Sequence, residues 1–356
     1  MASITPKRPD WLPAYIPEWQ GLRGFAILFV VFYHCHALLE GTWGYHASLW
    51  GWSGVELFFI LSGYLVTTIL LGEREKPPFL KKFYLRRALH IVPVYLLVLL
   101  VCYTIPDWFL GQSWAQATRW QTIVGYLCFA QNLRHSPLPG TLGPTWFLSV
   151  VVQFYVVWAL VMRFVRRIPL LALMLIAMMA TSIGMRHYYM HFKWLNPTHT
   201  LIHMDGIALG SLMALGIYTL PVARAAWMWL GVAWAALGFW AVATVAGGTS
   251  LLDTALCFGY GGVVLFAMAT SGMKTPLHWL MSKGPLAFYG TISYGLYLSH
   301  ILVFVYYGSF SARFDQMGVS GHLIILALRI VAATVFGAIL YYGVESQFMK
   351  LKNNFS

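Results

Sequence analysis

A chain whose apolar residues come in runs of about twenty, joined by short polar links, has few folds open to it. Ten such runs stand out, at 22–40, 50–72, 88–105, 144–165, 169–187, 202–219, 227–247, 251–271, 286–307 and 322–345. As helices they match a hydrocarbon core of about 30 Å, where each backbone N–H and C=O must be satisfied within its own segment. Only 10% of the 356 residues are charged, 59% are hydrophobic, and the mean hydropathy is +0.68. A soluble domain carries about 25% charged residues, so the expectation is an all-α, polytopic membrane protein. The 16 Trp and 20 Tyr suit interfacial belts. An eleventh apolar piece, 120–131, is short and holds two Gln, and is expected to be interfacial or re-entrant. This divides the chain into an N-terminal segment 1–21, a membrane domain 22–345 and a tail 346–356. The Pro-rich N-terminus lacks the apolar core of a cleaved signal peptide. Cys35, Cys102, Cys128 and Cys257 fall in or beside apolar runs and are expected to be free thiols.

Basic residues give an orientation. With the N-terminus cytoplasmic and 120–131 not crossing, 17 of the 23 Lys and Arg lie inside, five (Arg119, Arg134, Arg186, Lys193 and Arg313) lie outside, and Arg329 sits in a span. Both termini are then cytoplasmic, as the positive-inside rule requires. The net charge of +12 follows from this asymmetry and from attraction to anionic lipid, and argues for no nucleic-acid partner.

Ionisable groups inside the membrane are costly and mark function. In the first run Arg23 and His34 are eleven residues apart, three helical turns, so they share a face about 16 Å long. Glu56 in the second run and His34 in the first are each six residues from the outer end of their span, which puts a carboxylate level with an imidazole on antiparallel neighbours. Gln153, Asp205 and His300 fall in the same outer half. Arg86, Arg87 and His90, at the start of the third span, join Arg23 in a cationic cluster on the inner side. Positive-inside anchoring alone accounts for some of those cations, and helix-to-helix hydrogen bonding for some of the outer groups. His187, His191, His199 and His203, followed by Asp205, have permissible metal-ligand spacing, but they surround an aromatic, Pro-containing loop that suits a plain interfacial segment. No metal is expected. No phosphate-binding Gly loop, Gly-x-Ser-x-Gly elbow or dinucleotide fingerprint occurs.

These residues carry a resemblance. Arg23 and His34, Gly54-Val-Glu-Leu-Phe-Phe-Ile-Leu-Ser-Gly-Tyr64, Phe83-Tyr-Leu-Arg86-Arg87 running to Pro93, Trp146-Phe-Leu-Ser149 leading to Gln153, Asp205 followed by Gly210, and Ser293-Tyr-Gly-Leu-Tyr-Leu-Ser-His300 occur in an order that resembles the acyltransferase 3 family of integral-membrane O-acyltransferases. The resemblance implies ten membrane helices. It also implies transfer of an acyl group, usually acetyl from cytoplasmic acetyl-CoA, to a hydroxyl of a cell-envelope or exported carbohydrate, in a bacterial inner membrane. It makes Arg23 and His34 essential, assigns Arg86 and Arg87 to the acyl donor, and leaves Trp146, Gln153, Asp205 and His300 as acceptor-side or supporting residues. His90 stands where many members have another Arg, from which weaker donor phosphate binding is expected, and Val151 and Val152 stand where many have two Glu, which points to a subgroup with a different acceptor site. No fused extracytoplasmic domain is expected after the last span.

The chemistry suits that geometry. A hydroxyl attacks a thioester only when a base within reach takes its proton, and imidazole does so near neutral pH. His34 is the expected base, with Glu56 orienting the ring as the acid does in a triad. Arg23, Arg86 and Arg87 would hold the CoA phosphates, with acyl-CoA as a substrate and no permanently bound cofactor. The competing class is a proton-coupled transporter or a flippase of a lipid-linked sugar, which uses the same residue types. Such carriers more often show internal repeats, and no convincing halves are visible here.

Overall fold

In the computed structural model, residues 6–76, 78–104, 116–133, 140–193, 195–244, 248–315 and 317–352 are described, and all their regular structure is helical. Arg134, the ends of the expected spans 88–105 and 227–247, and parts of both terminal segments lie outside the described residues, as do the side chains of Arg119 and Arg313. The helices are α1 (Glu18–His34), α2 (Tyr45–Leu49), α3 (Gly54–Glu73), α4 (Phe79–Thr104), α5 (Gln116–Leu127), α6 (Thr145–Phe164), α7 (Ile168–Phe192) and α8 (Asp205–Thr219). They continue with α9 (Arg224–Thr244), α10 (Leu252–Ala269), α11 (Pro276–Ser282), α12 (Pro285–Thr291), α13 (Ser293–Asp315), α14 (Gly318–Leu340) and α15 (Ser346–Lys352).

Seven helical stretches among the described residues are long and apolar enough to cross a membrane, and an eighth forms if the bent pair Pro276–Thr291 and Ser293–Val305 acts as one span. Two of the ten expected spans are shorter: α1 has 17 residues and α8 has 15, about 25 and 23 Å of helix. The expected span 286–307 is broken by a 50° bend. There Ser293 Oγ donates to Gly290 O at 2.8 Å, drawing a carbonyl out of the helical ladder. The 120–131 piece forms the 12-residue α5 followed by a 3₁₀ turn at Gln131–Leu133, too short to cross.

The centre of the bundle is α1, α3 and α8. A Cβ on Gly63 would run into Ile207 O, and one on Gly210 into Ile60 O, so the crossing of α3 and α8 needs a residue without a side chain on each helix. Large apolar side chains on α9 and α14, such as Trp229, Trp240, Val331 and Phe336, are exposed, as lipid-facing surfaces require.

Candidate active site

At the Arg23 end of α1 a cavity of about 280 Å³ opens between α1, α3, α4, α6 and α13. Arg23, Arg87, His90, Tyr155 and Tyr294 supply polar groups to its lining. The Arg87 guanidinium lies over Phe83 and Tyr155, 5.7 and 5.4 Å from the ring centroids, which holds the cation against the cavity wall. His90 Nδ1 is 3.4 Å from Glu345 Oε1. Glu345 is buried in a π-helical turn, Tyr341–Glu345, at the end of α14. Arg86, on the same turn of α4 as Arg87, points elsewhere: its Nη1 donates to Glu73 Oε1 at 2.8 Å, and it does not line the cavity. The expected trio of donor-side arginines is therefore divided, with Arg23 and Arg87 at the cavity and Arg86 tied to the end of α3.

From the cavity wall a row of packed aromatic rings runs toward His34. Phe58, Phe147 and Tyr297 line it, with Tyr297 5.3 Å from Phe147 and 6.4 Å from Phe58 between ring centroids. The Tyr297 hydroxyl donates to Pro144 O at 2.8 Å, which fixes the ring. Tyr297 lies 5.8 Å from the His300 ring, and His300 lies 4.9 Å from the His34 ring.

His34 is the last residue of α1, and its Nδ1 is 2.9 Å from Val30 O. A carbonyl only accepts, so Nδ1 carries the proton and Nε2 keeps a lone pair. His34 is exposed, whereas His300 is fully buried. His300 Nδ1 likewise donates to Tyr297 O at 2.7 Å, and its Nε2 is buried without a hydrogen-bond partner among the described residues. Two imidazoles in one tautomer thus face each other where α1 ends.

The expected pairing of His34 with Glu56 does not occur. The chains run antiparallel as the depth argument requires, with Gly54 packed against Val30, its Cβ position 3.1 Å from Val30 Cγ2. Rotation about α3 decides otherwise. Glu56 faces α8 and α10, where it accepts from the Cys257 thiol at 3.1 Å, and the Val30 carbonyl orients His34 instead.

Glu56 belongs to a second polar centre. Asp205, wholly buried at the start of α8, accepts from Arg186 Nη1 and Nη2 at 3.0 and 2.7 Å and from the Thr254 hydroxyl at 2.7 Å. Arg186 also donates to Ile202 O at 2.7 Å and Ser250 O at 2.9 Å, and lies 3.7 Å from Asp253. Trp146 packs over His203 at 4.5 Å and near Phe59 at 5.9 Å, so it belongs to this centre. Gln153 is a latch: its amide donates to Phe129 O and to Asn132 Oδ1 at 3.0 Å, and it accepts from the Thr200 hydroxyl.

The four loop histidines separate. His187 and His191 lie 4.4 Å apart with tilted rings on an exposed face of α7, and His199 Nδ1 accepts from Leu201 N at 3.2 Å to cap a 3₁₀ turn. His203 alone turns inward, with the Trp146 ring packed over it. Arg186, Asp253 and Glu345 were not singled out from the sequence, although each falls within an expected apolar span. That position was the available signal.

A family model described as an acyltransferase domain matches residues 16–343. The peptidoglycan O-acetyltransferase OatA of Listeria monocytogenes is 32% identical over 157 residues, 40% of this chain and 24% of the relative. The O-acetyltransferase OatA of Staphylococcus aureus is 30% identical over 166 residues, 43% of this chain and 25% of the relative. A putative O-acetyltransferase of Staphylococcus aureus is 37% identical over 89 residues, 24% of this chain and 13% of the relative. The aligned stretch thus spans about a quarter or less of the length of these relatives. No solved structure matches. With an all-helical membrane bundle and a matched region that runs from before α1 to the π turn, the chain belongs to the acyltransferase 3 family.

Proposed function

We propose that the protein is a membrane O-acyltransferase that moves an acyl group, acetyl by preference, from cytoplasmic acyl-CoA to a hydroxyl of an envelope carbohydrate. The observation that carries this reading is the two-ended face of α1: Arg23 beside a cavity at one end, and an accessible imidazole at the other. The cavity is smaller than the roughly 300–1,000 Å³ of small-molecule pockets. It suits the narrow pantetheine arm, with Arg23 and Arg87 meeting the phosphates at its mouth. The names of the relatives, one of them a peptidoglycan O-acetyltransferase, support an acetyl donor and a glycan acceptor.

In this mechanism Val30 O holds the His34 ring so that Nε2 takes the acceptor's hydroxyl proton. The oxygen attacks the thioester carbonyl, the tetrahedral intermediate loses the C–S bond, and the CoA thiolate receives the proton from His34. His300 Nε2, with no other partner, accepts a hydrogen bond from an approaching hydroxyl and positions it. The termini and the Arg23 end lie on the cytoplasmic side in this reading, following the distribution of Lys and Arg. The membrane domain 22–345 carries the acyl transfer in this reading, in a bacterial inner membrane.

The test is release of free CoA thiol by purified protein in detergent, with acetyl-CoA and peptidoglycan or oligosaccharide acceptors. Acceptor-stimulated release that is lost in His34→Ala, with a raised acetyl-CoA requirement in Arg87→Ala, supports the reading. If no acyl-CoA is consumed while His34→Ala still complements a cellular phenotype, the reading fails and a carrier takes its place.

A further inference from the structure

The second polar centre is not used by this mechanism, and its geometry is unusual for a hydrogen-bonded cluster. Glu56, His203 and Asp253 each offer an atom, and the three atoms lie within 4.8 Å of one another. Yet among the described residues no hydrogen bond or ion pair joins the imidazole to either carboxylate, so the three groups are gathered without being bonded to one another. Glu56 is 2% exposed and, among the described residues, accepts only from a thiol, a weak donor. His203 Nε2 donates to Pro197 O at 2.8 Å, and its Nδ1 is buried with no partner.

A metal-bound imidazole typically donates its second N–H to a carbonyl or carboxylate, which fixes the tautomer and aims the free nitrogen at the ion. His203 is arranged in that way, and the Trp146 ring at 4.5 Å packs against it. Charge points in the same direction. Asp205 takes both Nη atoms of Arg186 and Asp253 lies 3.7 Å from one of them, while Glu56 meets no cation among the described residues. A divalent ion held between Glu56 and Asp253 displaces any proton they carry and balances their charge. Ligands about 2 Å from a zinc ion stand about 3–4 Å apart, which a small inward movement of the three side chains reaches.

We propose that Glu56, His203 and Asp253 form a binding site for a divalent cation of the zinc class, held by one nitrogen and two carboxylate donors. The ion ties α3, the loop before α8 and α10 together beside the His34 end of α1, where Gly51 and Gly54 bring the start of α3 against that helix. It takes no part in the proton transfer proposed above.

The test is zinc itself, on full-length protein purified with a tag that contains no histidine. After loading with Zn²⁺ and desalting, elemental analysis should find about one zinc per chain, and Zn²⁺ should raise the melting temperature of chelator-treated protein. His203→Gln and Asp253→Asn should lose both the zinc and the shift, while His187→Ala and His191→Ala keep them. Parent protein that retains no zinc and shows no shift overturns the site. So does zinc lost with His187 or His191 but kept in His203→Gln. Because binding and melting are read without turnover, failure here is distinguishable from failure of the acyltransferase reading.

Discussion

Replacing Asp205 with Ala tests whether the second polar centre holds the bundle together. The side chain is 0% exposed and accepts two hydrogen bonds from Arg186, one from Thr254 and a longer one, 3.4 Å, from Ser182. Charge-assisted bonds of this kind are worth about 1.5–3 kcal/mol each. Arg186 would keep Ile202 O, Ser250 O and the more distant Asp253, so the loss is smaller than the sum. Breaking a buried pair costs about 3–5 kcal/mol, a shift in the folding equilibrium of roughly 10²- to 10⁴-fold. Arg166 and Glu75 provide the contrast, at 2.8 Å but with both side chains 59% exposed. In water such a pair contributes under about 1 kcal/mol. Heating each variant in mild detergent and measuring the monodisperse fraction should show Asp205→Ala failing well below the parent and Arg166→Ala beside it. Equal, small losses in the two variants would refute the argument that burial makes the Asp205 pair indispensable.

Further outcomes follow from single contacts. Arg87→Ala should raise the acetyl-CoA concentration needed for half-maximal turnover more than Arg86→Ala, because Arg87 lines the cavity and Arg86 is bonded to Glu73; initial rates against donor concentration check this. Gly63→Val should prevent assembly of the bundle, since a Cβ there meets Ile207 O; the yield of monodisperse protein reports it, and a normal yield would contradict the described crossing. Trp158→Phe removes the 2.9 Å bond from Nε1 to Thr67 Oγ1 and should cost about 1–3 kcal/mol, the range for a buried polar group left unmade, as measured by thermal survival in detergent.

The fold class was legible because lipid allows few backbone solutions and apolar runs of about twenty residues declare them. Boundaries were less so. Ser293, read as part of a continuous span, breaks it by bonding Gly290 O, and α1 ends at His34 although the apolar run goes on to 40. Arg23 and His34 were legible as a shared face because helical phase within one segment is fixed by spacing. The phase between segments is not. Depth alone made Glu56 and His34 partners, but the rotation of α3 turns Glu56 toward Cys257. The same limit separates Arg86 from Arg87, adjacent in sequence and pointed at different partners. Asp253 and Glu345 were hidden for a different reason. Each sits within a few residues of the end of an expected span, where a charge reads as an ordinary flank.

In the proposed mechanism one site opens at both ends of α1, with donor and acceptor arriving from opposite sides. Proteoliposomes of known orientation test it most directly, with labelled acetyl-CoA confined to one side and acceptor glycan to the other. The account predicts labelled glycan only when acetyl-CoA is on the side of Arg23 and Arg87 and the glycan is on the side of His34, with the signal abolished in His34→Ala. Label transferred only when both substrates share one side, or transferred equally by His34→Ala, would contradict it.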